Sequence, residues 1–261
     1  MRNFKKFALL LVVFTTLFCS CNNENSELQA TLQPVKEAEE IVPNSYIVLL
    51  KEDKNLTGKS KLMREVSNKI LNKYKINENK LGFTYDRALQ GFSINDIDEE
   101  TLKILKNDSR VVEISPNFVF RLKYEKNNKS KSPRANSGLA NKTTNGSYDK
   151  LGDYVDWGVT RLGGYTYAVG KTAWIIDTGV IATDELNIDY NRSNTFIEND
   201  WTDRTGHGTH VAGIIGAKHN GKGTVGIAPG ATIVAVKVLD RNGSGSQATI
   251  LAGIDYVAKK C

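Results

Sequence analysis

Three kinds of hydrophobic pattern follow one another along the chain. Near the start, FALLLVVFTTLF (residues 7–18) is an unbroken apolar run, too short to span a bilayer comfortably. Between 44 and 124 the apolar residues fall into short segments. SYIVLL predicts a strand. KSKLMREVSNKILNKY carries Leu62, Val66 and Ile70 four residues apart, one face of a helix. LGFTYD and ALQGFSIN predict two more strands. DEETLKILKN opens with acids that suit a helix N-terminus, with Asp98 as its cap. RVVEI and NFVFRL close the stretch with β-branched and aromatic residues. From 151 onward the pattern changes again. TAWII and ATIVAVKVLD are continuous apolar runs, as in strands covered on both faces. THVAGIIGAKH has Val211, Ile214 and Ile215 at helical spacing. SQATILAGIDYVAKK sets Ile250, Leu251, Ile254 and Val257 on one face, with Ser246 as its cap.

The order of these elements predicts two architectures. Residues 44–124 read β-α-β-β-α-β, the split βαβ or ferredoxin-like arrangement of a small α+β domain. Residues 151–261 alternate strands with helices, which predicts an α/β domain with a parallel sheet and helices on its faces. Glycine divides the chain in the same way. Before residue 137 there are only Gly58, Gly82 and Gly91, and the other nineteen of the 22 lie beyond. The stretch 125–150, EKNNKSKSPRANSGLANKTTNGSYDK, has too little apolar content to bury anything. It predicts an exposed linker open to proteolysis.

Charge and cysteine content narrow the function classes. The net charge of +6 in 261 residues raises nucleic acid or an anionic membrane as partners. Much of the excess sits in RLKYEKNNKSKSPR, where a solvated linker accounts for it, so no nucleic-acid partner is expected. MRNFKK followed by the apolar run is a signal peptide pattern over residues 1–21. The CSC that ends it resembles a bacterial lipoprotein signal, with Cys21 as the lipidated residue, and a plain secretory signal is the alternative. The protein is therefore expected to be exported, secreted or lipid-anchored at the cell envelope, and to meet the membrane only through that anchor. Beyond Cys19 and Cys21 the sole cysteine is Cys261, so no pair remains for a disulfide in the folded body.

Candidate chemistry centres on TGHGTHVAGIIGA (205–217), which holds two of the three histidines, with His219 two residues further on. On one helix, twelve residues rise about 18 Å and turn about 120°, so His207 and His219 cannot share a metal ion. His207 and His210 could meet, yet two ligands make a poor zinc site, and the Glu of H-E-x-x-H is missing. GAKHNGKG approaches a phosphate loop but ends in Gly223 and follows a helix rather than a strand. His207 could also be a helix-start residue without chemistry. Against that, Gly206 and Gly208 flank it, and Asp177, thirty residues earlier, ends a buried strand. Active sites of α/β folds lie at the carboxyl ends of parallel strands. Asp and His are two parts of a nucleophile, base and orienter set.

IIDTG, GHGTHVAG and GIAPGATIVAVKVLDRNGSGS together resemble the subtilisin-like serine peptidases, and DWGVTRL points to their proteinase K-like branch. Residues 44–124 are similar to the inhibitor-type propeptide of that family. The resemblance implies Asp177 as the orienting carboxylate and His207 as the general base, with His210 structural. It implies polypeptide substrates, bound by main-chain hydrogen bonds along Gly243, Ser244 and Gly245. It implies the propeptide as an intramolecular inhibitor, and maturation by cleavage between about 124 and 150. No cofactor is required. In many members the loop at His219 wraps a calcium, which implies Asn220, nearby carbonyls and Glu185 as structural calcium ligands.

The third triad member is not in the sequence. In this family the serine follows the base by about 150 residues, and only 54 follow His207. Ser244 and Ser246 belong to the substrate edge. Two readings stand. In the first, residues 151–261 are the N-terminal part of an incomplete subtilisin-like peptidase domain in a secreted serine endopeptidase zymogen, and this chain is inactive alone. In the second, the chain is a complete, non-enzymatic, exported propeptide-like protease inhibitor with a vestigial protease segment.

Overall fold

The computed structural model describes residues 40–122 and 146–261. The signal segment, Cys21 and most of the 125–150 linker lie outside the described residues.

The first group of elements is β1 (Ile41–Leu50), α1 (Ser60–Lys73), β2 (Leu81–Tyr85), β3 (Gly91–Ile94), α2 (Glu99–Leu105) and β4 (Val111–Arg121). The strands pair antiparallel in the order β4-β1-β3-β2. This is the ferredoxin-like order, reached because each βα crossover leaves room for another strand between its neighbours. Val48, Met63, Ile70, Leu71, Phe92, Ile94 and Leu105 have no exposed surface and form its core. Asp98 caps α2 by accepting the Thr101 N–H at 2.7 Å. RVVEI and NFVFRL form one strand, β4, not two segments. The buried stripe of α1 is Met63, Ser67, Ile70 and Leu71, with Leu62 and Val66 at its margin. Ser67 tolerates that position because its hydroxyl donates to the Met63 carbonyl at 2.8 Å.

The second group is β5 (Ser147–Tyr148), β6 (Tyr154–Val155), α3 (Trp157–Arg161), β7 (Thr172–Asp177), β8 (Asn187–Ile188), β9 (Asn194–Thr195), α4 (His207–Gly216), β10 (Thr232–Lys237), β11 (Ser244–Ser246) and α5 (Gln247–Lys260). β10 lies between β7 and β8, with β9 also beside it, all parallel. The α/β class expected from the sequence is the one observed. β10 is covered on both faces. Ile233 and Ala235 join Ile175 and Ala212 on the α4 side, and Val234 and Val236 join Ile250 and Val257 on the α5 side. β7 differs from expectation, since Ile176 is 37% exposed. The reason is position: β7 is an edge strand among the described residues.

Both long helices of this group pack through small residues as well as through the expected aliphatic ones, Val211 and Ile215 on α4 and Ile250, Leu251 and Val257 on α5. On α4 the buried residues are Gly208, Ala212 and Gly216, and Ile214 faces outward. A side chain at Gly208 would run into the Gly179 carbonyl. On α5 the buried residues are Ala248, Thr249, Ala252, Gly253 and Asp255, while Ile254 is exposed. This helix is gripped from two sides, so no single apolar face describes it. Ile250 and Val257 meet β10, whereas Leu251, Ala248 and Ala252 meet Ile47, Tyr85 and Leu89 of the first group. Ser246 caps it, accepting the Thr249 N–H at 3.2 Å.

The two groups share a sheet. β11 pairs antiparallel with the end of β4, giving the order β11-β4-β1-β3-β2. Polar contacts reinforce the joint. Asn117 accepts the Ala248 N–H at 3.0 Å, and the Tyr85 hydroxyl donates to the Ala248 carbonyl at 3.1 Å. Asp255 Oδ1 accepts three successive N–H groups, from Asp86, Arg87 and Ala88, at 3.1, 2.7 and 2.9 Å. Its other oxygen pairs with Lys259, which also reaches Asp86. Among the described residues no helix is long and apolar enough to cross a membrane.

Candidate active site

β7 delivers Asp177 to the carboxyl end of the parallel sheet, and the chain turns sharply at Thr178–Gly179, where Gly179 adopts φ 103°. That turn admits the start of α4. Gly206, at φ 90°, offers no side chain to cap the helix. Asp203 does so from below. One of its oxygens accepts N–H groups of Thr205 and Gly206 and the hydroxyls of Thr178 and Thr205, all at 2.9 Å. The other accepts the Thr209 N–H at 2.9 Å and its hydroxyl at 2.6 Å. Burial raises the Asp203 pKa. The Thr209 hydroxyl and the backbone N–H groups outweigh it and hold the carboxyl well below the usual range.

This scaffold sets His207 against Asp177. His207 Nδ1 lies 2.8 and 2.9 Å from the two carboxylate oxygens. Asp177 Oδ1 also accepts the Thr178 N–H at 2.6 Å. Because a carboxylate only accepts, Nδ1 carries the proton and Nε2 is left with its lone pair. The Asp177 side chain is 12% exposed and that of His207 is 37% exposed, so the base opens to solvent while its partner is covered. Behind the pair, Lys237 is paired in register with Asp177 and fully buried. It donates to the Thr178 carbonyl at 2.5 Å and lies 3.3 Å from Glu198 Oε2. Such a pair can orient an imidazole as a general base for a hydroxyl presented at Nε2.

Gly243, Ser244 and Gly245 form the edge that β4 occupies. Ser244 stands opposite Arg121 and Gly245 opposite Phe120, and the Leu122 N–H donates to the Gly243 carbonyl at 2.9 Å. Arg121 donates to the Ser244 hydroxyl at 2.6 Å and pairs with Glu40. His210 is exposed, beside a 680 Å³ cavity lined by Trp157, Leu162 and Ile214.

Glu185 and Asn220, the residues implied for calcium, lie together and bring side-chain oxygens, the donor type calcium takes, to the loop after α4. Asn220 turns its amide nitrogen toward the Glu185 oxygens, at 3.3 and 3.4 Å, and its own oxygen accepts the Lys222 N–H. Two residues that sequence reasoning passed over, Asp149 and Asp153, converge with His219 nearby. Asp203 was passed over as well, although an Asp four residues before His207 is a recognisable capping signal. Nothing in the sequence singled out Lys237 or Asp255.

Comparison with known proteins gives a consistent family. The profile of the Subtilase family matches residues 59–260. The chain is 37% identical over 166 residues to "Minor extracellular protease Epr" of Bacillus subtilis (strain 168), covering 61% of this chain and 24% of that protein. It is 32% identical over 240 residues to "Subtilisin-like protease 5" of Arthroderma gypseum, covering 88% of this chain and 54% of that one. The chain thus spans between a quarter and about half the length of these relatives. A solved structure described as a cold adapted subtilisin-like serine proteinase is 35% identical, covering 38% of this chain and 36% of that one. Its TM-score of 0.31 is too low to bear on the fold.

Proposed function

The chain belongs to the subtilase family of serine peptidases, and on that premise we propose that it is the N-terminal portion of an exported serine endopeptidase zymogen. The observation that carries this reading is the Asp177–His207 contact at 2.8 Å, and the antiparallel pairing of β4 with β11 supports it. Asp177 fixes the tautomer of His207 and stabilises the imidazolium. His207 Nε2 takes the proton of a serine hydroxyl that lies outside the residues described. The alkoxide forms a bond to the scissile carbonyl carbon, and the tetrahedral adduct collapses to an acyl-enzyme. The amine leaves with the proton from His207, and water repeats the sequence to release the acid.

The substrate main chain would pair with Gly243–Gly245 as an added strand. β4 stands in for it, which supports residues 44–124 as the intramolecular inhibitor and the stretch from 124 to 150 as the place of maturation. Export through the leader, with Cys21 lipidated, belongs to the same proposal. A serine-directed phosphonate probe tests it. A product of the reading frame continued past codon 261 should be labelled and should lose turnover with His207→Ala. Labelling of the 261-residue chain at any of its own serines would overturn the reading. An unlabelled chain that strongly inhibits another subtilase, with no coding sequence past codon 261, would leave the inhibitor reading instead.

A further inference from the structure

A lysine with no exposed side-chain surface stands behind the Asp177–His207 pair, and the proton transfers at His207 give it no part. A lysine removed from water is costly unless its charge is paired and its N–H groups are bonded. On the reading of His207 as a general base, we propose that Lys237 is a positioning residue for the pair. Its ammonium, braced by Glu198, holds the Thr178 carbonyl and so fixes the backbone N–H that orients the Asp177 carboxylate.

Thr178 is the hub of this hold. Its N–H donates to Asp177 Oδ1 at 2.6 Å, the same oxygen that His207 Nδ1 meets at 2.8 Å. Its hydroxyl donates to Asp203 and accepts the Gly208 N–H, both at 2.9 Å. Its carbonyl lies past Asp177, the last residue of β7, and accepts from Lys237 Nζ at 2.5 Å. With hydroxyl and carbonyl both held, residue 178 cannot turn about its backbone, and its N–H stays aimed at the carboxylate. Gly179 follows at φ 103°, a residue free to swing. The lysine therefore acts at the joint where the chain is loosest.

The lysine is itself fixed at both ends. Its backbone is in register with Asp177 on the neighbouring strand. The next two N–H groups, of Val238 and Leu239, donate to the Asp177 carbonyl at 2.9 and 3.2 Å. At its tip, Glu198 Oε2 lies 3.3 Å from Nζ. That oxygen is buried and has no hydrogen-bond partner, so the ammonium charge is what compensates it. Glu198 Oε1 is taken by Arg241, through Nε at 3.1 Å and the backbone N–H at 3.3 Å, which leaves Oε2 for the lysine. Burial raises the Glu198 carboxyl, but Arg241 and Lys237 outweigh it and hold the group below its usual value. A methionine at 237 would fill the same space and offer the carbonyl no donor.

Two measurements test this role. In the 261-residue chain, NMR follows solvent exchange of the His207 Nδ1–H. Lys237→Met should speed that exchange about tenfold or more by loosening the carboxylate that covers the proton. Lys237→Arg, which keeps a cationic donor, should recover most of the protection. In the product of the reading frame continued past codon 261, Lys237→Met should lower kcat about 10- to 100-fold with KM within about twofold, again with recovery in Lys237→Arg. Val236→Ala is the structural control: it opens a cavity on the α5 side of β10, and should lower the melting temperature without moving either readout. Should Lys237→Met not fold, Glu198→Gln carries the same readouts and should speed exchange severalfold. Exchange and kcat unchanged in a folded Lys237→Met would overturn the proposal. So would a parent Nδ1–H already in fast exchange, or losses no greater than those of Val236→Ala. A response of the Nδ1–H without any turnover would sink the peptidase reading alone, and turnover without any response would sink the role of Lys237 alone.

Discussion

The two groups of elements are held together by different means. The first closes on volume: Met63, Ile70, Leu71, Phe92 and Ile94 fill a single core between an antiparallel sheet and two helices. The second closes on contact at the backbone. Its helices approach the sheet through Gly208, Ala212, Gly216 and Gly253, and its carboxylates, Asp203 and Asp255, are spent on backbone N–H groups and hydroxyls. A core of large side chains tolerates small polar losses at its rim and suffers from lost volume. A core assembled on close backbone approach tolerates lost methyls and suffers from added atoms or a lost acceptor. That contrast also separates fold from chemistry, because close approach is what brings a strand end and a helix start near enough to share a hydrogen bond.

Several substitutions break or sharpen the contrast. The largest effect belongs to the second group and is purely chemical. In a peptidase that contains these residues, Asp177→Asn should lower kcat by about 10⁴ through the wrong His207 tautomer, with an unchanged melting curve. Next, Phe92→Ala should cost about 3–5 kcal/mol by removing the largest aliphatic-facing ring of the first core. Urea unfolding measures it, and a loss under about 1 kcal/mol would mean that volume does not hold that group. Gly208→Ala adds one methyl against the Gly179 carbonyl. It should cost about 1–3 kcal/mol and disturb the His207 ring signals by NMR, whereas a similar addition at Gly213 on the same helix, with nothing within 4 Å of it, should leave those signals alone.

Acid should act on both groups, through carboxyls held low by different partners. Asp108 is lowered first by the Arg110 guanidinium, against burial. Burial raises Asp203, and hydroxyl and N–H donors overcome it. In each case the folded value is below the unfolded one. The stabilisation is therefore complete above about pH 4, the ordinary carboxylate value, and is lost as pH falls through the lowered folded value. Asp203→Asn should flatten the acid limb of stability for the second group. The smallest effect is that of salt. At 1 M the Debye length is about 3 Å, so the Asp108 contribution should weaken with added salt, while that of Asp203, which has uncharged partners, should not.

How much of this was readable in advance depended on the range over which each feature is encoded. Strands and helices appeared where period and capping announce them, down to Asp98 and Ser246. The Asp177–His207 pairing was legible because both residues sit in local motifs with characteristic glycines. The buried face of α1 was read slightly out of phase, because Ser67 hides its hydroxyl in the helix backbone and so passes as polar. The faces of α4 and α5 were read in part, with Ile214 and Ile254 facing outward, for a different reason. Hydrophobicity marks what could be buried, whereas Gly208 and Gly253 mark where a neighbour comes close. The cluster at His219 joins positions 70 residues apart, and no local period records such a distance. The same holds for β4 and β11, whose partners are 123 residues apart at Arg121 and Ser244.

The pairing of β4 with β11 also sets how the edge could ever be vacated. While both strands belong to one continuous chain, β4 competes for Gly243–Gly245 as a tethered ligand, at an effective concentration set by the chain itself. No dilution lowers it. Once the connection is cut, the same three residue pairs and the Asp255 contacts become a bimolecular complex, and occupancy follows the amount of free fragment. Control over the edge then passes from sequence to mass action: a crowded compartment keeps it filled, and release into a large volume empties it without a single contact having changed.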